Sequence, residues 1–364
     1  MQPRIIQIEV STRCQLRCSF CPHTLLKDHW ITKDISRDTF SDILSHVGKG
    51  QLVHLQGWGE PLLHPQIWDM AAAVKRKGGR VSMTTNGLLL DDDAVRNVCD
   101  IGFDFIAISV AGAVSAVHDS LRIGSSLAHI CDNIISLSAT KSHPHIHLVM
   151  QMMKPNISEL PALVDLAAEL KVDRVIAPNL DYIPDAGTEQ LRAFSEISDP
   201  ELERIIMEAQ LRAKKLGIPL HVYPLQPGED FPVCSDDPLH NIVISVNGEV
   251  SPCVYLCLPI EDRIPRWFQG ETCFVDRFIY GKVGDGLHEV LGNRSAEQFM
   301  AAFEQRIQCS KFNAAESMAI LTLPGIRSAR KALQHANSQG RPQHPIKIPD
   351  APSHCRACYK LLGI

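Results

Sequence analysis

Residues 5–21 read Ile5-Ile6-Gln7-Ile8-Glu9-Val10-Ser11-Thr12-Arg13-Cys14-Gln15-Leu16-Arg17-Cys18-Ser19-Phe20-Cys21. The stretch from Ile5 to Val10 is rich in β-branched residues, and it predicts a strand. The chain then runs directly into a C-x3-C-x2-C pattern. Three nearby thiolates can coordinate three irons of a cubane cluster, whereas a fully protein-ligated cluster takes four cysteines. The segment Cys14–Cys21 supplies no fourth, so one iron would stay open to an external ligand. Leu16, Phe20 and Pro22 would shield the cluster, and such burial tunes its potential. The alternative is a zinc site with His23 as fourth ligand. Zinc ribbons pair two C-x2-C knuckles, and the extra C-x3-C step departs from that pattern.

Working outward, further strands are predicted at Leu52–Gln56, Arg80–Thr84, Phe105–Val110, His145–Met152 and Arg174–Ala177. Helices are predicted between them. Arg37–His46 has Ser36 as its cap, and Ile67–Lys77 closes on Gly78-Gly79. Leu160–Leu170 follows Ser158 as a candidate cap. Glu201–Leu216 opens after Asp199-Pro200 and ends at Gly217, the expected placement of Pro and Gly. Repeated β–α units imply parallel strands with right-handed crossovers. Six units fall short of the usual eight of a closed barrel, so the predicted fold is α/β, an open, partial β/α barrel. Chemistry in such folds gathers at the C-terminal ends of the strands. Cys14–Cys21, Gly57–Pro61 and Thr85–Gly87 follow the first three strands, which places all three on one rim.

Composition sets the remaining bounds. The chain has 364 residues, a net charge of −5 and 12 cysteines. That charge gives no sign of a nucleic-acid partner. No apolar run reaches the ~18 residues that span a bilayer, and the N-terminus has no secretion-signal pattern. A cytoplasmic protein is expected, in which so many cysteines point to metal rather than to disulfides. Cys99 and Cys131 read as small buried residues. After Gly217 prolines break the β–α pattern, so we divide the chain into residues 1–217 and 218–364. Asn247-Gly248 predicts a hairpin between Ile242–Val246 and Glu249–Val250 with a tight primed turn. Pro324–Pro352 reads as a loop or arm.

The motif C-x3-C-x2-C after strand one, with Phe20 before the last Cys, resembles the radical S-adenosylmethionine (SAM) superfamily. The order of elements over residues 4–223 is similar too. The resemblance implies a 4Fe–4S cluster at Cys14, Cys18 and Cys21 whose open iron chelates SAM. It further implies reductive cleavage of SAM to a 5′-deoxyadenosyl radical that abstracts hydrogen from a substrate, and a flavodoxin or ferredoxin as reductase. Gly57-Trp58-Gly59-Glu60-Pro61 resembles the family's G-G-E-P motif, which binds the SAM amino group, with Trp58 in place of the motif's first Gly. Glycine permits close backbone approach to a ligand. Thr85-Asn86-Gly87 resembles the family's T-N-G, and Ser109 resembles a residue that touches the SAM ribose or carboxylate. His118 and Arg122 lie in A-G-x5-H-x3-R, similar to D-G-x4-H-x3-R with Ala111 replacing the Asp. Both also read as solvated surface residues.

Cys234, Cys253 and Cys355-x2-Cys358 resemble the ligands of the C-terminal SPASM or twitch extension, and Gly281-Lys282-Val283 to Phe303 resembles the stretch between them. The resemblance implies one auxiliary cluster held by these four cysteines. Cys257, Cys273 or Cys309 could replace Cys234, and zinc could replace the cluster. Cys257 is the one catalytic candidate, a thiol that could donate a hydrogen atom; a buried inert cysteine is the other reading. Members with auxiliary clusters modify peptides or oxidise small molecules. A zinc-binding protein and an electron carrier without SAM cleavage are the alternatives.

Overall fold

The computed structural model describes residues 3–228, 231–321 and 347–364. Ten strands form one sheet. In chain order they are β1 (Ile5–Ile8), β2 (Leu52–Leu55), β3 (Arg80–Thr85), β4 (Phe105–Val110), β5 (His145–Met150), β6 (Arg174–Ala177), β7 (Leu220–Val222), β8 (Asn241–Ile244), β9 (Glu249–Ser251) and β10 (Gly281–Lys282). The order across the sheet is β10-β9-β8-β1-β2-β3-β4-β5-β6-β7. All pairs from β8 through β1 to β7 are parallel; β9 and β10 join antiparallel. The end strands β10 and β7 do not pair, so the barrel stays open.

Strand alternation sets the two faces. Ile6, Ile8, Val53, Leu55, Val81, Met83, Ile106 and Ile108 are fully buried against the helices. The other face carries Gln7, His54, Ser82 and Thr84. His54 bonds Ser82 Oγ at 2.7 Å and Gln56 Oε1 at 2.7 Å, so polar groups on this face satisfy one another. Burial pushes the His54 imidazole down to about 4, which keeps it neutral.

Helices α1 (Arg37–Ser45), α2 (Ile67–Arg76), α3 (Asp92–Ile101), α4 (Ser115–Leu121), α5 (Leu127–Ser138), α6 (Leu160–Glu169) and α7 (Pro200–Leu216) connect the strands. Their starts follow local chemistry. Ser36 accepts from Thr39 N–H, Asp91 from Ala94 N–H, and Asp199 from Glu201 and Leu202 N–H. Gly217 ends α7 in the left-handed region at φ +72°. Beyond β10 a long helix, α8 (Arg294–Leu321), runs on.

Three expectations need correction. A seventh short parallel strand, β7, extends the predicted six, and with β8–β10 it carries the sheet across residue 217. Ser158 caps nothing, because a 3-10 turn at Ile157–Glu159 leads directly into α6. The Asn247-Gly248 hairpin is not closed by a primed turn. Ser245 O accepts from Gly248 N–H at 2.9 Å, and only Gly248 takes positive φ, at +75°. That is a type I turn followed by a glycine bulge, with three residues rather than two in the loop. Residues 324–346 of the predicted arm lie outside the described residues. Among the described residues no helix is long and apolar enough to cross a membrane.

Candidate active site

The loops that follow β1, β2 and β3 are tied together through one residue, Glu60. Glu60 is 2% exposed. Its Oε1 accepts from Thr85 Oγ1 at 2.7 Å and from Leu62 N–H at 3.1 Å, and its Oε2 accepts from Asn86 N–H at 2.7 Å. Its backbone N–H donates to Arg13 O at 2.7 Å. Burial pushes the Glu60 carboxyl up, while these bonds and the Arg122 charge pull it down. Asn86 closes the triangle. Its amide donates to Gln15 Oε1 at 3.3 Å and stands 4.0 Å from the Cys14 thiol. Gly59 is required by close approach, since a Cβ there would lie 2.3 Å from Ser11 O and 2.6 Å from Arg13 O. A Cβ on Gly57 would meet the Glu9 side chain at 2.2 Å.

Cys14, Cys18 and Cys21 share one apolar cluster with Leu16, Phe20, Ala111 and Leu121. A two-residue ladder pairs Arg17–Cys18 with Arg122–Ile123 and fixes this loop across the rim. Burial pushes the Cys14 thiol up to about 11 and Cys21 up to about 12; neighbouring thiols add to the rise. A metal that binds such thiols displaces their protons. Arg122 adds a second sign of a missing group. Its Nε is buried with no hydrogen-bond partner, and its charge acts on Cys14, Cys21 and Glu60. Ser109 lies near the end of β4, on the face opposite the helices, half-buried. His118 is fully buried rather than solvated. Its Nδ1 accepts from Ala111 N–H at 3.1 Å, its Nε2 meets Ser125 Oγ at 2.9 Å, and burial pushes it down to about 4. It is a neutral packing residue that orients the loop after β4.

The second set of cysteines also converges. Cys234, Cys253, Cys355 and Cys358 line one small cavity, together with Asp236, Arg266 and Lys360. Burial pushes Cys234 up to about 12 and raises Cys253 and Cys355 strongly. Asp236 Oδ2 lies 3.2 Å from the Cys253 thiol. Lys360 Nζ bridges Asp236 at 3.1 Å and Asp181 at 3.0 Å. Cys257, Cys273 and Cys309 do not line this cavity. Among the described residues no three His, Cys, Asp or Glu side chains converge on a point that could hold a single metal ion. A cubane places each thiolate on a different iron and requires no such point.

Residues 8–167 match the family described as Radical SAM superfamily. These residues form a radical SAM domain. This radical SAM enzyme is 28% identical over 262 residues to the tungsten-containing aldehyde ferredoxin oxidoreductase cofactor-modifying protein of Pyrococcus furiosus, covering 69% of this chain and 70% of that one. It is 26% identical over 184 residues to the PqqA peptide cyclase of Streptomyces rochei, covering 50% and 49%. The chain thus spans about half the length of that cyclase. Its fold matches Streptococcus suis SuiB bound to S-adenosylmethionine with a TM-score of 0.61 at 16% identity, over 82% of this chain and 68% of that one. SuiB has also been solved bound to precursor peptide SuiA, matched with a TM-score of 0.53 at 16% identity over 72% and 62%. The cofactors of this radical SAM enzyme are a 4Fe–4S cluster and SAM.

Two site residues behave differently from their sequence reading. Glu60 spends its carboxylate on the protein donors Thr85, Leu62 and Asn86, and so shapes the loop after β2. Trp58 turns away from that loop. Its indole N–H donates to Val254 O at 3.3 Å, and its ring lies 5.6 Å from Tyr255 and 5.7 Å from Tyr182. It ties the first site to the residues after Cys253. Cys257 is 2% exposed, and burial, followed by the charges of Glu9, Arg277 and Glu249, acts on its thiol. Arg266, Tyr280, Asp236 and Lys360 were missed. Asp236 and Lys360 each stand two residues after a cysteine, a spacing that could have drawn attention; Arg266 and Tyr280 carry no local signal.

Glu9 is expected to make folding stability depend on pH. Its Oε1 accepts from Trp58 N–H at 3.0 Å, and burial pushes its carboxyl from 4.5 up to about 7. A folded value above the unfolded one means that its contribution is complete below about pH 4.5 and is lost as pH rises through about 7. Glu9→Gln is expected to remove that loss. From about pH 4.5 to 8 the stability of the variant relative to wild type should rise by on the order of 3 kcal/mol. Parallel urea unfolding across this range checks it, and parallel curves would contradict it.

Proposed function

We propose that this radical SAM enzyme oxidises a peptide substrate with two clusters. One is held by Cys14, Cys18 and Cys21; the other, auxiliary, is held by Cys234, Cys253, Cys355 and Cys358 of residues 218–364. The convergence of the second four cysteines on one cavity carries this reading. Four thiolates close a cluster to substrate and leave it electron transfer as its role. When bound at the first site, the cluster and SAM supply a radical that abstracts a hydrogen atom. The protein aligns the reacting atoms. Gly57, Gly59 and Pro61 would offer backbone to SAM, with Glu60 and Thr85 holding that backbone in place. Asn86, Ser109 and Arg122 line the approach, the last supplying an unpaired N–H. A flavodoxin or ferredoxin in the cytoplasm would deliver electrons. The peptide class is supported by the cyclase and SuiB likenesses. A cofactor precursor is the second reading, favoured by the cofactor-modifying relative.

Reconstituted without oxygen and given a low-potential reductant, the chain is expected to release 5′-deoxyadenosine from SAM. Deuterium should pass into that product from a short peptide substrate deuterated at the carbon that is oxidised. No release from fully loaded protein would defeat the enzyme reading. Transfer from a deuterated cofactor precursor but not from the peptide would select the second reading.

A further inference from the structure

We propose that Arg266 and Tyr280 are positioning residues that donate hydrogen bonds to the sulfurs of the auxiliary cluster and hold its reduction potential high. The inference rests on the reading of Cys234, Cys253, Cys355 and Cys358 as its ligands.

Two buried donors without partners carry it. Arg266 is 4% exposed and lines the four-cysteine cavity. Its NH1 and NH2 donate to the backbone carbonyls of Ala357 at 3.3 Å and Tyr255 at 3.0 Å, and Cys358 is a further partner. Its Nε is buried with no partner at all. Asp236, the carboxylate that lines the same cavity, is engaged by Lys360. Tyr280 is 5% exposed, and its hydroxyl is likewise buried without a partner. Phe299, which lines the cavity, packs against its ring, and the thiols of Cys355 and Cys253 act on it electrostatically. Phe278 and Phe299 clamp the Tyr280 ring edge-on, at 5.5 Å and 6.0 Å, so its direction is set by packing.

An unmet buried donor costs about 1 to 3 kcal/mol, and a buried unpaired charge costs more. Two such groups around one set of thiols are accounted for by an anion in the cavity that accepts from both. A cluster bound by four thiolates is such an anion. Hydrogen bonds to its sulfurs and a positive charge beside it stabilise the more negative, reduced state, and so raise the potential. Asp236, 3.2 Å from the Cys253 thiol, works in the opposite sense and is offset by Lys360.

The test uses the full chain with Cys14, Cys18 and Cys21 all changed to Ala, so that only the auxiliary cluster contributes. Redox titration followed by electron paramagnetic resonance is run on this parent and on Arg266→Met, Arg266→Lys and Tyr280→Phe within it. Each is expected to hold about four irons per chain. The midpoint potential should fall in Tyr280→Phe and fall further in Arg266→Met. Arg266→Lys, which keeps the charge, should lie between Arg266→Met and the parent. Iron-loaded variants with the parent's potential would overturn the inference and leave the auxiliary cluster standing. A parent that binds no iron would overturn the cluster reading and this inference with it. If Arg266→Met assembles no cluster, Tyr280→Phe decides alone, since it removes a single hydroxyl.

Discussion

Glu60→Ala is expected to cut reductive cleavage of SAM by about a hundredfold or more and to destabilise the chain by about 3 kcal/mol or more. The carboxylate touches the loops after β2 and β3 together, and Glu60 N–H reaches the loop after β1. Removing it leaves Asn86 N–H, Leu62 N–H and the Thr85 hydroxyl without their acceptor in a buried site. Each unmet donor costs about 1 to 3 kcal/mol. The activity loss follows from geometry, since a displacement of about 1 Å can cost a hundredfold. Asn86 would no longer be anchored, and it is the residue that leans on Gln15 and Cys14. Thr85→Val tests the same idea in small. It removes one of the three bonds and is expected to cost about 1 kcal/mol. Thermal unfolding and 5′-deoxyadenosine release read both effects. A Glu60→Ala chain with wild-type stability and turnover would show that the triangle does not organise the site.

Changing Cys253 and Cys355 together to Ala is expected to halve the iron content, from about eight to about four per chain. SAM cleavage should persist, because Cys14, Cys18 and Cys21 lie in a separate apolar cluster. Oxidation of the substrate should stop. Iron and zinc measured on the same samples separate the alternatives. Loss of about one zinc with iron unchanged would identify the cavity as a four-cysteine zinc site. Unchanged metal content would show that the cavity holds no metal.

Local chemistry made much of this legible. The Ile5–Val10 run, the C-x3-C-x2-C step and the β–α alternation are short-range signals, and strands and caps follow from them. Ser36 and Asp199 cap helices because a side chain needs only its own next turn to do so. The sequence likewise marked Gly59, whose missing Cβ is a requirement of close backbone approach. The resemblance to the SPASM or twitch extension named the four cysteines that line the second cavity.

Other features depend on what the chain meets far along its length. Glu60 reads as a ligand for an ammonium group until Thr85 and Asn86 fold against it. His118 reads as a surface residue until Ala111 N–H and Ser125 enclose it. Arg266 and Tyr280 lie in unremarkable strand and loop sequence. Their significance arises only when residues 234–280 and 351–361 close on one cavity and leave two donors unmet. The sequence by itself determined the parallel β/α order and the three thiols at its first rim loop, because period and spacing are local. Tertiary structure alone decided which polar atoms find partners, because burial and hydrogen-bond satisfaction depend on neighbours that no window of sequence contains.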